Sequence, residues 1–241
     1  METEIPALFR ARRTVAPERF TFHSSRMRMK EVRPEELAAM DADSTRCAAE
    51  LSDARVDVLG YACLVAIMSM GHGYHRTSER KLTEVTADNG AQAPVVTSAG
   101  ALVGALHTMG ARSVTLVAPY LRPLTDTVVG YLRKEGIEVG DHTALEIPDN
   151  LRVAAHDPDD LLPIVRALDH TDADAVVLSA CVQLPSLDVV ERAEQELGKP
   201  VLSASIATAH QMMRALGLPA VAPGAGHLLS GAYAHSPLHT G

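Results

Sequence analysis

The sequence predicts an α/β architecture of two similar lobes facing each other across a cleft, each built on a mostly parallel sheet. Three observations carry that expectation. Apolar, β-rich runs alternate along the chain with runs of helical period, the pattern of strands and helices layered around a sheet. The β-rich runs are nearly continuous in apolar residues rather than alternating, as strands covered on both faces are. The second half of the chain also echoes the first. "LGYAC" at 59–63 is matched by "VLSAC" at 177–181, and "PVVTSAGALVGALHTMG" at 94–110 by "PVLSASIATAHQMMRALG" at 200–217, with one residue of slip. Each half reads strand, cysteine, helix, strand, small hydroxyl residues, helix, glycine, which describes two pseudo-symmetric Rossmann-like lobes. Residues 1–105 and 206–241 are expected to form one lobe and residues 106–205 the other, a single catalytic unit with its active site between them.

The elements follow in order. The chain opens on "METEIPALFRARR", which reads as a helix with no strand before it. A second helix is predicted from Pro34, which suits a first helical turn, with Glu35 and Glu36 complementing the helix dipole. Cys47 sits in its middle among alanines and is expected to fill core space. Strands are predicted at 56–62, 93–99, 113–119, 173–180 and 199–204. "MGHGYHRT" reads as a glycine-rich loop over the end of the first strand. The small residues of "SAGALVGAL" predict a helix packed closely on its sheet, with Thr97 and Ser98 either capping it or binding an anion. In "HDPDDLLPIVRALDH", Asp157 is expected to cap a helix whose first position is Pro158. Another helix is predicted from a Ser186 cap through the stripe Val189, Val190, Ala193 and Leu197, stopping at Gly198. Met68, Met70, Met212 and Met213 are expected to fill core gaps. After His227 the sequence has no period, and it is expected to fray.

Composition narrows the function classes. With 46% hydrophobic and 22% charged residues the chain is a folded protein, and 241 residues suffice for a large core. Aromatics are 3% with no tryptophan, so the stacking platforms of single-strand nucleic-acid binders are nearly absent. A formal charge of −8 disfavours nonspecific attraction to nucleic acid or anionic lipid. No apolar run reaches the roughly 18 residues that span a bilayer, and the N-terminus lacks the order of a secretory signal. Three cysteines, none spaced as C-x-x-C, fit reduced thiols and a cytoplasmic protein rather than disulfides or a zinc site.

Cys63 and Cys181 carry the chemistry. Each ends an apolar strand, and in open α/β sheets ligands bind outside the carboxyl ends of strands. The residues after them, Leu64 and Val65 and then Val182 and Gln183, would offer backbone N–H groups that suit a carboxylate and lower a thiol's pKa. Either cysteine alone is explained as a small buried hydrophobe. A matched pair about half a chain apart is not, because packing has no need of such symmetry. Two thiols facing one small substrate suit racemisation, or addition and elimination across a double bond, with no metal or organic cofactor. Tyr120 stands at another strand end and is expected toward the cleft. Asn150 either contacts a ligand or closes an Asx turn. His72 and His75 have the spacing His-x-x-His but lack the glutamate and third ligand of a zinc site, and a loop role is favoured over a metal.

These residues resemble the aspartate/glutamate racemase superfamily, and within it the maleate cis–trans isomerase branch. "YACLVAIMSMGHGYH", "TSAGALVGAL", "VAPYLRPL", "SACVQLPSLDVVE" and "PVLSASIATA" carry the likeness over essentially the whole chain. The resemblance implies that Cys63 is the nucleophile and Cys181 its acid/base partner. It also implies that Tyr120 and Asn150 contact substrate, and that Leu64, Val65 and Val182 line the carboxylate pockets. Thiolate Cys63 would add to maleate, Cys181 would protonate the neighbouring carbon, and the succinyl adduct would rotate before fumarate is eliminated. Relatives suggest a homodimer. The family begins with a strand that would lie upstream of "METE", and a start codon assigned too late is the expectation that explains its absence. Two other readings stay open: a racemase or related enzyme acting on another small dicarboxylate, or a truncated, inactive ligand-binding remnant.

Overall fold

The computed structural model describes residues 2–234. Two parallel sheets organise it, matching the two-lobed α/β expectation. In the first, β1 (Leu59–Tyr61) pairs with β2 (Val95–Thr97). In the second, β3 (Ser113–Ala118) lies between β4 (Glu138–Ala144) and β5 (Ala175–Ser179), and β6 (Val201–Ser203) closes the order β4-β3-β5-β6.

The strands end nearer the sequence centre of each apolar run than expected, because the cysteines and hydroxyl residues turn the chain at their carboxyl ends. β5 is buried along its whole length, as its continuous apolar sequence requires. The strand missed by the sequence reading is β4. Its residues "EVGDHTA" are mostly polar because it is the edge of the sheet, with only Val139 buried among them, so no apolar run announces it.

Helices fill the connections. α1 (Glu4–Arg12) and α2 (Pro34–Asp53) precede β1, and Cys47 is buried in α2 as predicted. α3 (Leu64–Ser69) starts directly at Cys63, and α4 (Tyr74–Asp88) follows a short turn through Gly71 and Gly73, both at positive φ. α5 (Ser98–Thr108) springs from β2, and α6 (Arg122–Lys134) links β3 to β4. α7 (Asn150–Ala154), a 3-10 turn (Pro158–Asp160) and α8 (Leu161–Arg166) lead to β5. Asp157 accepts from the Asp159 N–H at 3.0 Å, the cap predicted for that turn. α9 (Leu187–Leu197) ends at Gly198 in the left-handed region, and α10 (Ala204–Ala215) springs from β6.

The internal echo is a real packing relation: α5 and α10, the two matched helices, lie against each other. Their starts are matched as well. Thr97 Oγ1 accepts from the Gly100 N–H at 3.0 Å, and Ser203 Oγ accepts from the Ile206 N–H at 3.3 Å. Ser98 instead donates to the Tyr61 carbonyl at 3.0 Å, tying α5 to β1.

Four expectations are corrected. Ser186 does not cap α9 through its hydroxyl. The carboxylate of Glu4 on α1 does so, accepting from the Ser186 and Leu187 N–H groups at 2.6 and 2.7 Å. His75 is not in a loop: it is on α4, buried, with its Nδ1 on the Tyr131 hydroxyl. Met70 is exposed rather than a core filler. After His227 the chain does not fray at once, because Leu228 and Leu229 are fully buried; the rest of the predicted tail, 235–241, lies outside the described residues. Among the described residues no helix is long and apolar enough to cross a membrane.

Candidate active site

The strand order of the second sheet selects the position of the site. From β3 the chain runs first to β4 on one side and then crosses to β5 on the other, so the connections leave in opposite directions. A crevice opens outside the carboxyl ends of β3 and β5 for that reason. Tyr120 lies two residues beyond β3 and Cys181 two residues beyond β5, both at that crevice. Cys63 comes to it from the first lobe, in extended conformation (φ −142°, ψ 95°) at the cap position of α3.

Tyr120 joins the three. Its hydroxyl donates to the Ala180 carbonyl at 3.0 Å, accepts from the Val65 N–H and contacts the Cys181 thiol. One side chain therefore spans the cleft from the first turn of α3 to the loop carrying Cys181. The phenol is buried, and burial with the two neighbouring sulfurs raises its pKa well above the ordinary value, so it is a neutral donor.

Both thiols are half-buried. Burial pushes Cys63 up to about 12; the Ala66 N–H in the first turn of α3 pulls the other way, and Cys181 pushes it further up. The sequence reading expected the strand-end position to lower this thiol. The N–H group is there and acts in that direction, but loss of water outweighs it. The Cys181 sulfur accepts from the Gln183 N–H at 3.4 Å, one of the backbone donors expected after that cysteine.

The loop carrying Cys181 is fastened from several sides. Ser179 Oγ donates to the Cys181 and Leu184 carbonyls at 2.8 and 3.2 Å, and Ser205 Oγ donates to the Val182 carbonyl at 3.4 Å. Leu64, Val65 and Val182 are all buried beside the cysteines they follow. Asn150 opens α7 and meets the site through its backbone carbonyl, which accepts from Gln183 Nε2 at 2.8 Å. Asp149 makes the Asx-type bond to the Leu151 N–H at 2.8 Å, the ordinary role weighed for that pair.

Cys63, Cys181, Tyr120, Leu64, Val65 and Val182 are thus brought together, with Asn150 tied to their edge. Ser179, Ser205 and the Gln183 side chain were not singled out in advance. The two serines stood in the matched segments "VLSAC" and "SASIA", which is the signal that would have found them. Among the described residues no cluster of metal-ligating side chains occurs; His72 pairs with Glu135 at 3.1 Å instead. The same carboxylate accepts both guanidinium arms of Arg76 at 2.7 and 3.1 Å.

The arrangement brings two half-buried sulfurs and a buried phenol together at the carboxyl ends of the strands. Residues 11–229 match the family model described as arylmalonate decarboxylase. A maleate isomerase from Pseudomonas putida is 65% identical over 233 residues, covering 97% of this chain and 93% of that protein. A cysteine-to-alanine variant of the maleate isomerase of Pseudomonas putida S16, crystallised with maleate, superposes with a TM-score of 0.95 at 62% identity, over 96% of this chain and 92% of that one. A cysteine-to-serine variant of the Nocardia farcinica maleate cis–trans isomerase, holding a covalently bound succinylcysteine, superposes with a TM-score of 0.91 at 48% identity, over 95% and 92%. The chain belongs to the maleate isomerase branch of the aspartate/glutamate racemase superfamily.

Proposed function

We propose that this protein converts maleate to fumarate without a cofactor, through a succinyl adduct on Cys63. The observation that carries the reading is the convergence of two thiols from different lobes on the Tyr120 hydroxyl. Because the Cys181 sulfur raises the cost of ionising Cys63, the pair works with one proton between them. With that proton on Cys181, the Cys63 thiolate adds to one alkene carbon while Cys181 delivers its proton to the next. The carbon–carbon bond is then single and turns freely. Cys181, now a thiolate, removes a proton from the same carbon, the carbon–sulfur bond breaks, and fumarate leaves with Cys63 again a thiolate. Protons and electrons balance within the pair, and no metal, redox centre or external acid enters.

The buried N–H groups and side chains of Leu64, Val65 and Val182 line the pockets for the two carboxylates, and Asn150 contacts substrate from α7. We take residues 1–105 with 206–241 as one lobe and 106–205 as the other, working as a homodimer in the cytoplasm on a small dicarboxylate, with neither nucleic acid nor membrane as a partner. Sedimentation velocity checks the dimer.

Proton NMR of the protein with maleate tests the reaction directly. The vinyl signal of maleate should give way to that of fumarate, and Cys63→Ala should abolish the conversion. Cys181→Ser should retain adduct formation, seen in intact-protein mass spectra as a gain equal to the mass of maleic acid. Proton exchange at Cα of an amino diacid with no fumarate formed would replace this reading with a racemase.

A further inference from the structure

Gln183 makes two contacts that no other residue of the Cys181 loop combines. Its backbone N–H donates to the Cys181 sulfur at 3.4 Å, and its side-chain Nε2 donates to the Asn150 carbonyl at 2.8 Å. The residue thereby spans from the acid/base thiol to the first residue of α7. The amide orientation follows from the partner, because a carbonyl oxygen needs a donor.

Among the described residues, the other holds on α7 include the buried Val153 and the Ile147 N–H bond to the Pro119 carbonyl at 2.9 Å, three residues before the helix. It is five residues long, only Val153 among them is buried, and Leu151 is 77% exposed. The Asp149 bond to the Leu151 N–H is local to the turn and fixes no position relative to the cleft. An isolated antiparallel bridge joins Asp149 to Glu31. The Cys181 loop is by contrast fastened through Ser179, Ser205 and Tyr120 to β5, α10 and the segment after β3. A short, mostly exposed helix is thus joined through the Gln183 side chain to a firmly held loop.

We propose that Gln183 is a positioning residue that holds Asn150 in register with Cys181. This rests on the reading above, in which Asn150 contacts the substrate and Cys181 moves its proton. A small diacid gripped by α7 is then presented to the thiol at a set distance, and slack in α7 is felt first as weaker binding and then as poorer alignment for proton transfer.

Two variants test it, Gln183→Leu and Gln183→Glu, with two readouts. In hydrogen exchange followed by mass spectrometry, Gln183→Leu should speed exchange of the peptide covering 149–155 by about tenfold, the effect of losing one hydrogen bond of ordinary strength. In steady-state kinetics with maleate, the same variant should raise KM by about tenfold and lower kcat less. Gln183→Glu carries the sharper signature. Its ionised carboxylate repels the Asn150 carbonyl, whereas the protonated acid donates an O–H in place of the lost N–H. The ratio of its KM to that of the unaltered protein should therefore fall as pH is lowered through the carboxyl range.

Exchange in 149–155 unchanged in Gln183→Leu, or a KM ratio for Gln183→Glu that is flat with pH, overturns the proposal. If the unaltered protein leaves maleate untouched, the functional reading fails, and the exchange measurement still decides whether Gln183 holds α7. Should Gln183→Leu not fold, Gln183→Glu supplies both readouts.

Discussion

At the scale of single residues, the proposed chemistry turns on Tyr120 and Cys63. The Tyr120 hydroxyl touches both the Val65 N–H and the Cys181 loop, and so ties together the segments that carry the two cysteines. In Tyr120→Phe the Ala180 carbonyl loses its donor and the cleft loses its bridge. Steady-state assays should show kcat reduced by about 100- to 1000-fold, the usual scale for removing one aligned donor from a reacting site. The melting temperature should drop by only a few degrees, about 1 kcal/mol for one buried hydrogen bond. Cys63 makes a different prediction. Its protonated form is the unreactive one, and burial pushes its pKa up to about 12, so the thiolate is the minor species at neutral pH. Below that pKa each pH unit adds about tenfold thiolate. The value of kcat/KM should accordingly climb from pH ~7 to ~9, where an ordinary exposed thiol would begin to level off near ~8.5. A flat profile over that range would show that the free protein already holds Cys63 as thiolate.

Among the elements, the start of α5 is the tightest junction. Thr97 caps the helix, and the half-buried Glu79 of α4 accepts from both the Thr97 N–H and its hydroxyl at 2.9 and 2.8 Å. A Cβ at Gly100 would come within 2.6 Å of that carboxylate oxygen and 2.9 Å of the His75 ring, so α4 can approach α5 only where there is no side chain. Because Glu79 is held by two hydrogen bonds, it cannot swing away cheaply. Gly100→Ala should cost roughly 1–3 kcal/mol in denaturant unfolding. Gly104→Ala meets only the end of the Gln211 side chain, and should cost less. The glycine-rich face "SAGALVGAL" was legible as a packing surface, as were the cap at Thr97 and the stop at Gly198. β4 and the Glu4 cap on α9 were not, for a common reason. An edge strand needs no apolar run, and a cap supplied by a side chain 182 residues away leaves no local trace.

Across the whole molecule, a polar strut joins the lobes behind the cleft. Arg76 and His72, from α4 and the turn before it, converge on Glu135 just past α6, and His75 meets Tyr131 of α6. α6 begins beside Tyr120 and α4 follows the helix that starts at Cys63, so the strut braces both walls of the site. Burial favours the neutral acid at Glu135, yet Arg76 outweighs it and holds the carboxyl below its usual range. His75, and likewise His210 on α10, is buried with its pKa lowered to about 4, chiefly by loss of water. The unfolded chain takes up those two protons near pH ~6.5, while the folded protein refuses them until about pH 4. Stability from these groups is complete above the unfolded value and is lost as pH falls through that window. Thermal unfolding should show a melting temperature steady from pH ~8 to ~7 and several degrees lower by pH ~5. His75→Gln should reduce that acid sensitivity.

What the sequence determined by itself was the layering, the internal repeat, and the placing of two cysteines at matched strand ends, because periodicity and strand termination are properties of neighbouring residues. It also carried the family's motifs closely enough to single out candidate site residues that the fold brings near one another. Only the tertiary structure decided the strand order that opens a crevice between β3 and β5, and the bridging of that crevice by Tyr120. It alone showed His75 turned into a brace, and Cys63 raised rather than lowered in pKa. Those outcomes depend on which groups exclude water from which others, and that is settled by contacts between residues far apart in the chain.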